Sequence, residues 1–141
     1  MKHLSIPRNQ FTGSLPGSLG LMTQLEVLVL ADNKFSHSVP SELGNLTNLR
    51  ALHLELNQLS GVLPSELGQL TNLLFLTLEG NSNLGGTLPT ELAALNGTLQ
   101  GLQIKNTNIS GTIPAVLCEV IGLSFDCSTL LCGCDCTCDP T

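Results

Sequence analysis

The stretch LRALHLELNQLSGVLP, residues 49–64, contains the pattern from which the fold can be inferred. Leu52 and Leu54 are separated by one residue, a spacing that is typical of a short strand with one buried face. Asn57 follows this strand, and Pro64 ends a short extended piece. A segment of this length cannot bury its own apolar side, so the pattern predicts that similar neighbours cover it.

Prolines indicate that the pattern recurs at a fixed period. Those that end the extended piece are separated by 24, 24, 25 and 25 residues, at Pro16, Pro40, Pro64, Pro89 and Pro114. A fixed period of this length is typical of a solenoid built from stacked units. We predict five units, starting near residues 1, 25, 49, 73 and 99, in a repeat domain of residues 1–122, followed by a cysteine-rich cap of residues 123–141.

Each unit is predicted to contain a strand, a turn, a short extended piece and a brief helix. The helical segments, such as residues 41–44, are short and end in Gly, which suits a turn or two of 3₁₀ or α structure. Because an amide donates and accepts at once, the Asn that follows the strand can satisfy backbone groups at the turn. We expect a structural ladder of Asn9, Asn33, Asn57 and Asn81, with Thr107 in the fifth unit. An insertion at residues 81–83 predicts a bulged loop in the fourth unit.

Residues 49–64 resemble the plant-type leucine-rich repeat, written LxxLxLxxNxLSGxLP, and the resemblance covers residues 1 to about 122. It implies an α/β solenoid, a right-handed superhelix of about five 24-residue coils. A parallel sheet would form the concave face, and short 3₁₀ or helical turns would form the convex face. The resemblance also implies roles common in that family: receptor ectodomains, receptor-like proteins and secreted inhibitors of wall-degrading hydrolases.

Composition and motifs argue against several function classes. Five basic residues against eleven acidic ones give a net charge of −6, which opposes nucleic-acid binding. The apolar runs are far shorter than the roughly 20 residues that span a bilayer, so we expect no membrane segment. The sequence contains no HExxH, no phosphate-binding glycine loop and no GxSxG. We expect no enzyme activity, no cofactor and no metal.

Binding residues are expected on the outward side of the predicted sheet. Apolar side chains there are not required by the fold, and Val27, Val29 and Phe75 therefore favour a contact patch. The predicted ligand-binding residues on the concave face are Val27, Val29, His53, Glu55, Phe75, Thr77 and Gln103. The alternative is that isolated apolar residues are ordinary on a surface and that Val simply suits a strand.

Six cysteines lie in the last 24 residues, a density typical of oxidised extracellular modules. The candidates for cap disulfides are Cys118, Cys127, Cys132, Cys134, Cys136 and Cys138. Bridges between cysteines separated by one residue are strained, so wider pairs such as Cys132 with Cys136 are favoured, and the connectivity is open. A zinc site is the alternative, although structural zinc prefers a Cys-x₂-Cys spacing. The tail resembles the cysteine-rich ends of algal and diatom leucine-rich-repeat proteins.

These patterns lead to an extracellular binding module, with protein or peptide ligands, that is either part of a receptor or secreted. Sequons at Asn45, Asn96 and Asn108 are consistent with a glycoprotein. No secretory signal is present in residues 1–7 and beyond, so we expect one upstream. A secreted hydrolase inhibitor or wall-adhesion protein is the alternative, and an ice-binding protein is a remote one. The first unit has no predicted cap, which favours self-association through that end.

Overall fold

The structure is a computed structural model, and it describes residues 1–120, 122–126 and 130–132. Its strands alternate between two parallel sheets. The first sheet contains β1 (His3–Ser5), β3 (Val27–Val29), β5 (Ala51–His53), β7 (Phe75–Thr77), β9 (Gly101–Gln103) and β11 (Gly122–Ser124). The second sheet contains β2 (Thr12–Ser14), β4 (Lys34–His37), β6 (Gln58–Val62), β8 (Asn83–Thr87), β10 (Asn108–Ile113) and β12 (Leu130–Cys132).

Short 3₁₀ helices follow the prolines and connect the second sheet to the first. They span Gly17–Leu21, Ser41–Asn45, Ser65–Gln69, Thr90–Leu95 and Ala115–Leu117. The predicted solenoid with a parallel sheet and 3₁₀ turns is therefore confirmed. The second sheet was expected only as isolated extended pieces. It forms a ladder because each piece is in register with the piece in the next unit, as in the pairing of Gly61 with Leu84.

The register of the first sheet places equivalent residues of neighbouring units side by side. Leu28 pairs with Leu52, and Leu52 pairs with Leu76. All three side chains are fully buried, because the spacing of two directs every leucine of this column into the same layer. Burial of each contributes about 2 kcal/mol, which is how a chain without Trp or Tyr builds a core.

Glycine in the 3₁₀ helices lets neighbouring units approach closely. A methyl group added at Gly44 would lie 2.5 Å from the backbone oxygen of Glu66 in the next unit. Gly20 and Gly68 make the equivalent approach in their own units. Ala93 occupies this position in the fourth unit.

The first unit exposes apolar side chains that its equivalents bury. Met1 and Phe11 are exposed, while Leu4 and Ile6 are partly buried and pack against the core. The ring of Phe11 stacks on that of Phe35 with centroids 6.1 Å apart. This end of the described stack is covered less than its interior.

The sheets continue past the domain boundary that was predicted at residue 122. Leu123 pairs with Leu102, and Leu131 pairs with Thr112. The backbone ladder continues because these residues still match the register of the preceding unit. Cys118 forms a disulfide bond. The side chains of the other five cysteines, Cys127, Cys132, Cys134, Cys136 and Cys138, lie outside the described residues.

Candidate binding face

The outward side of the first sheet, which we call the sheet face, carries three rows of side chains that run across the units. Parallel pairing in register aligns each row. The first row is His3, Val27, Ala51, Phe75 and Gly101; the second is Ser5, Val29, His53, Thr77 and Gln103; the third is Ala31, Glu55, Glu79 and Lys105. All seven predicted ligand-binding residues lie on this face, so the structure brings them together.

Phe75 is the most prominent apolar side chain of the sheet face, with 42% of its surface exposed. A methyl group added at Gly101 would lie 2.9 Å from Cδ1 of Phe75, so the ring extends over the glycine of the next unit. Val27 and Val29 are partly buried in the same part of the face. The sheet core is formed by the opposite, leucine-bearing side, so an exposed ring here is not needed for folding.

A hydrogen-bonded group of three polar side chains lies beside this apolar row. The hydroxyl of Thr77 donates to Oε2 of Glu55. Because that hydroxyl has a single proton, its 2.8 Å contact with Nδ1 of His53 is a bond that the imidazole donates. His53 Nδ1 also lies 3.7 Å from the Glu55 carboxylate. The network fixes the orientation of Glu55 beside the His53 ring.

Thr77 is only 7% exposed, although the sequence predicts an outward and open side chain. It points outward, but hydrogen bonds to His53 and Glu55 keep these longer side chains over it. Sequence reasoning found the three residues and missed their network. The available signal was that His53 and Thr77 occupy one column of adjacent units, with Glu55 two residues after His53. Gln103 is exposed and is the next member of that column.

Opposing effects determine the charge of Glu55. Partial burial by itself would raise the pKa of its carboxyl group. The adjacent His53 imidazole and the hydrogen bond from Thr77 favour the charged form and outweigh burial, so the pKa of Glu55 is lowered. The sheet face therefore presents a fixed carboxylate beside an apolar row.

The asparagines that follow the strands make the same set of side-chain to backbone hydrogen bonds in successive units. The Nδ2 group of Asn57 donates to the backbone oxygens of Leu54 at 3.1 Å and of Leu30, in the preceding unit, at 3.0 Å. Its Oδ1 accepts from the backbone N–H of Phe35 at 3.0 Å. Asn33 and Asn81 make the equivalent bonds, whereas the amide of the exposed Asn9 donates only to oxygens of its own unit.

Thr107 replaces the asparagine in the fifth unit, and a backbone hydrogen bond in the fourth unit takes the place of the lost amide acceptor. Following the pattern, the backbone N–H of Leu84 would donate to an amide oxygen at position 107. Leu84 donates instead to the backbone oxygen of Asn81 at 3.0 Å, within the turn that the insertion at residues 81–83 creates. The hydroxyl of Thr107 donates to Ile104 at 2.7 Å within its own unit. The insertion thus satisfies the group that the missing amide leaves.

Comparisons with known proteins agree with this geometry. The leucine rich repeat family model matches residues 23–82. The LRR ectodomain of the Arabidopsis thaliana membrane receptor kinase GASSHO1/SCHENGEN3, in complex with CASPARIAN STRIP INTEGRITY FACTOR 2, superposes with a TM-score of 0.84 at 37% identity, over 94% of this chain and 16% of its own. The chain is a plant-type leucine-rich-repeat protein.

Two other solved structures extend the comparison. The Arabidopsis receptor kinase HAESA, in complex with the peptide hormone IDA and the co-receptor SERK1, gives a TM-score of 0.80 at 34% identity, over 92% of this chain and 22% of its own. A plant ice-binding protein gives a TM-score of 0.80 at 26% identity, over 94% and 42%. The chain spans about a fifth of the length of each of these two receptor kinase chains, GASSHO1/SCHENGEN3 and HAESA. No curated protein matches its sequence.

The leucine-rich-repeat ectodomains that this chain resembles are a family of binding modules and not of enzymes. Within the described residues, no group of three His, Cys, Asp or Glu side chains is arranged to hold a metal ion. No helix in the same part of the chain has the length and apolar character needed to cross a membrane. The sequon residues Asn45, Asn96 and Asn108 are exposed.

Proposed function

We propose that this chain is the recognition part of an extracellular protein and that it binds a peptide or a protein segment on the sheet face. The observation that carries this proposal is the exposed ring of Phe75, together with Val27 and Val29, on a face that the core does not require. Apolar side chains bordered by polar groups are typical of protein interaction sites. His53 and Glu55 supply that polar border.

The receptor neighbours support a peptide or protein ligand. GASSHO1/SCHENGEN3 and HAESA were both solved with a peptide or protein factor bound. Neither alternative function has comparable support. The second row of the sheet face, Ser5, Val29, His53, Thr77 and Gln103, lacks the regular Thr or Asn ladder that ice binding would favour. No feature of the face distinguishes an inhibitor of wall-degrading hydrolases.

A test uses 12-residue random peptides displayed on phage, selected on the native chain and then measured as synthetic peptides. We expect Phe75→Glu and Val29→Glu to weaken binding at least tenfold, about 1.4 kcal/mol. Val62→Glu is the matched control, because Val62 is 62% exposed but belongs to β6 of the second sheet. Circular dichroism verifies that each variant is folded.

The proposal would be overturned if peptides bound Phe75→Glu and Val29→Glu as tightly as the native chain. Loss of binding with Val62→Glu alone would transfer the site to the second sheet and would also contradict it. Selection that yields no binder at micromolar concentration would contradict peptide recognition by this chain.

Self-association through the first unit is a further part of this proposal. Phe11 is exposed there and rests on Phe35, and Met1 lies in the same unit. Sedimentation velocity should show a concentration-dependent dimer that Phe11→Ser weakens. A monomer at all concentrations would contradict it, whereas peptide binding on the sheet face would be unaffected.

A further inference from the structure

Two carboxylates lie in adjacent units on the third row of the sheet face. Glu55 follows β5 and Glu79 follows β7, and the backbone N–H of Leu56 donates to the backbone oxygen of Glu79 at 2.8 Å. Neighbouring strands lie about 4.8 Å apart, so the two side chains begin close together. Like charges directly opposite each other across a sheet are destabilising. A cation placed between them would remove this repulsion.

Among the described residues, no ion pair joins a lysine or arginine to either carboxylate, and Glu55 lies 3.7 Å from Nδ1 of His53. Ala31 precedes the two glutamates on the row, and Lys105 follows them, so the acidic stretch is confined to two units. Glu55 and Glu79 are partly buried. Their charges therefore lie at the surface of the sheet rather than extending freely into solvent.

The apolar row lies at a defined distance from this acidic pair. Phe75 and Glu79 are four residues apart, which corresponds to about 13 Å of extended chain. A ligand in an extended conformation along the strand direction would reach both with side chains about four residues apart. The hydrogen bond from Thr77, whose hydroxyl is itself bonded to His53, holds Glu55 in place before a ligand arrives, which lowers the ordering cost of binding.

We propose that the segment bound on the sheet face carries an arginine or lysine about four residues from an aromatic or aliphatic side chain. The cation pairs with Glu55 and Glu79, and the apolar side chain packs on Phe75. An arginine fits best, because a planar guanidinium can donate to both carboxylates at once. This inference rests on the proposed function, since it specifies the ligand of the same face.

The test repeats the phage selection of 12-residue peptides on three proteins. They are the native chain, the variant Glu55→Gln/Glu79→Gln, and the matched control Glu42→Gln/Glu91→Gln. The control removes the same two charges from exposed positions in the 3₁₀ helices Ser41–Asn45 and Thr90–Leu95. Because Glu55 belongs to the network of Thr77, the single variant Glu79→Gln is measured as well.

We expect peptides selected on the native chain and on the control to be enriched in Arg or Lys three to five residues from an apolar side chain. Such a peptide should bind at least tenfold more weakly to Glu55→Gln/Glu79→Gln and several-fold more weakly to Glu79→Gln. Its affinity for the native chain should also fall as salt is raised, because screening weakens partly exposed ion pairs.

Other outcomes separate this inference from the proposed function. Peptides that lose binding with Phe75→Glu but lack basic enrichment would overturn the inference and leave the proposed function intact. Basic peptides that lose as much affinity with Glu42→Gln/Glu91→Gln would indicate general attraction to an acidic protein and would also overturn it. Peptides that bind Phe75→Glu as tightly as the native chain would contradict both the proposed function and this inference.

Discussion

The third unit, near residues 49–72, and the units that follow it use the same repeat with different side chains. The third unit has Asn57 at the turn and Gly68 in its 3₁₀ helix, whereas the fourth has Ala93 at the glycine position and the fifth has Thr107 at the asparagine position. Both sheets nevertheless continue in register through these units. A cleft of about 210 Å³ lies beside Ala93's helix, lined by residues 96–100, 116, 119 and 120.

This difference separates two contributions to the fold. The backbone ladders and the buried leucines persist in every unit, so they determine the order of the stack. The asparagine hydrogen bonds and the close approach at glycine add local contacts between units. An asparagine can be replaced when another group takes over its hydrogen bond, as when the Leu84 N–H donates to the backbone oxygen of Asn81. The regular units should therefore be more sensitive to substitution than the irregular ones.

The largest expected effect comes from adding a side chain where two regular units approach closely. Gly44→Ala places a methyl group 2.5 Å from the Glu66 backbone oxygen, so the units must separate. Overpacking of this kind should lower the free energy of unfolding by about 3 kcal/mol, measured by urea denaturation. The reverse change in the irregular unit, Ala93→Gly, should alter it by less than about 1 kcal/mol. Equal changes for Gly44→Ala and Ala93→Gly would contradict the expected difference in sensitivity between regular and irregular units.

The next effect follows from moving the residue of the fifth unit into the third. Asn57→Thr leaves the buried N–H of Phe35 without its acceptor, because no insertion compensates there. We expect a loss of about 2 kcal/mol in the free energy of unfolding. Thr107→Asn should change stability by less than about 1 kcal/mol, since Leu84 already has a partner. A loss for Asn57→Thr below about 0.5 kcal/mol would contradict the ladder as a source of stability.

A smaller gain is expected in β4, where His37 has a φ of 67°. The equivalent positions Gly13, Gly61, Gly86 and Gly111 also have positive φ, which glycine adopts without the steric cost that a side chain incurs. His37→Gly should raise the free energy of unfolding by about 1 kcal/mol. Gly61→Ala, the opposite change in the next unit, should lower it by a similar amount. A destabilised His37→Gly would indicate that the bond between Ser36 and the His37 ring matters more than backbone strain.

The sequence predicts what repeats and not what couples one unit to the next. Leucine spacing and the proline period are sufficient for the first sheet, the 3₁₀ helices and the positions of Asn57 and Phe75. The ladder of the second sheet depends on register between units, which a single repeat does not specify. The positive φ of His37 was equally hidden, because its only signal is that histidine replaces a glycine.

The candidate face was predictable as a set of residues and not as a network. Alternation places Val29, His53 and Phe75 outward once the leucines are assigned inward. Whether Thr77 is open or covered depends on the rotamers of His53 and Glu55, which hydrogen bonding decides. Sequence spacing carries no information on that choice.

The smallest effect concerns the charge of Glu55, for which burial and hydrogen bonding compete. Because the folded pKa is lowered, Glu55 stabilises the fold at pH values above its unfolded pKa of about 4.3. That contribution is lost as pH falls through the folded pKa. Carbon NMR titration of the Glu55 carboxyl group should therefore give a pKa below the ordinary value. Thr77→Val removes one of the bonds that favour the charge, so it should raise the pKa of Glu55. A Glu55 carboxyl group in the native chain that titrates above the ordinary value would mean that burial wins. The sheet face would then lose its fixed carboxylate in mildly acidic solution, and the acidic pair with Glu79 would no longer be the reason for a basic ligand.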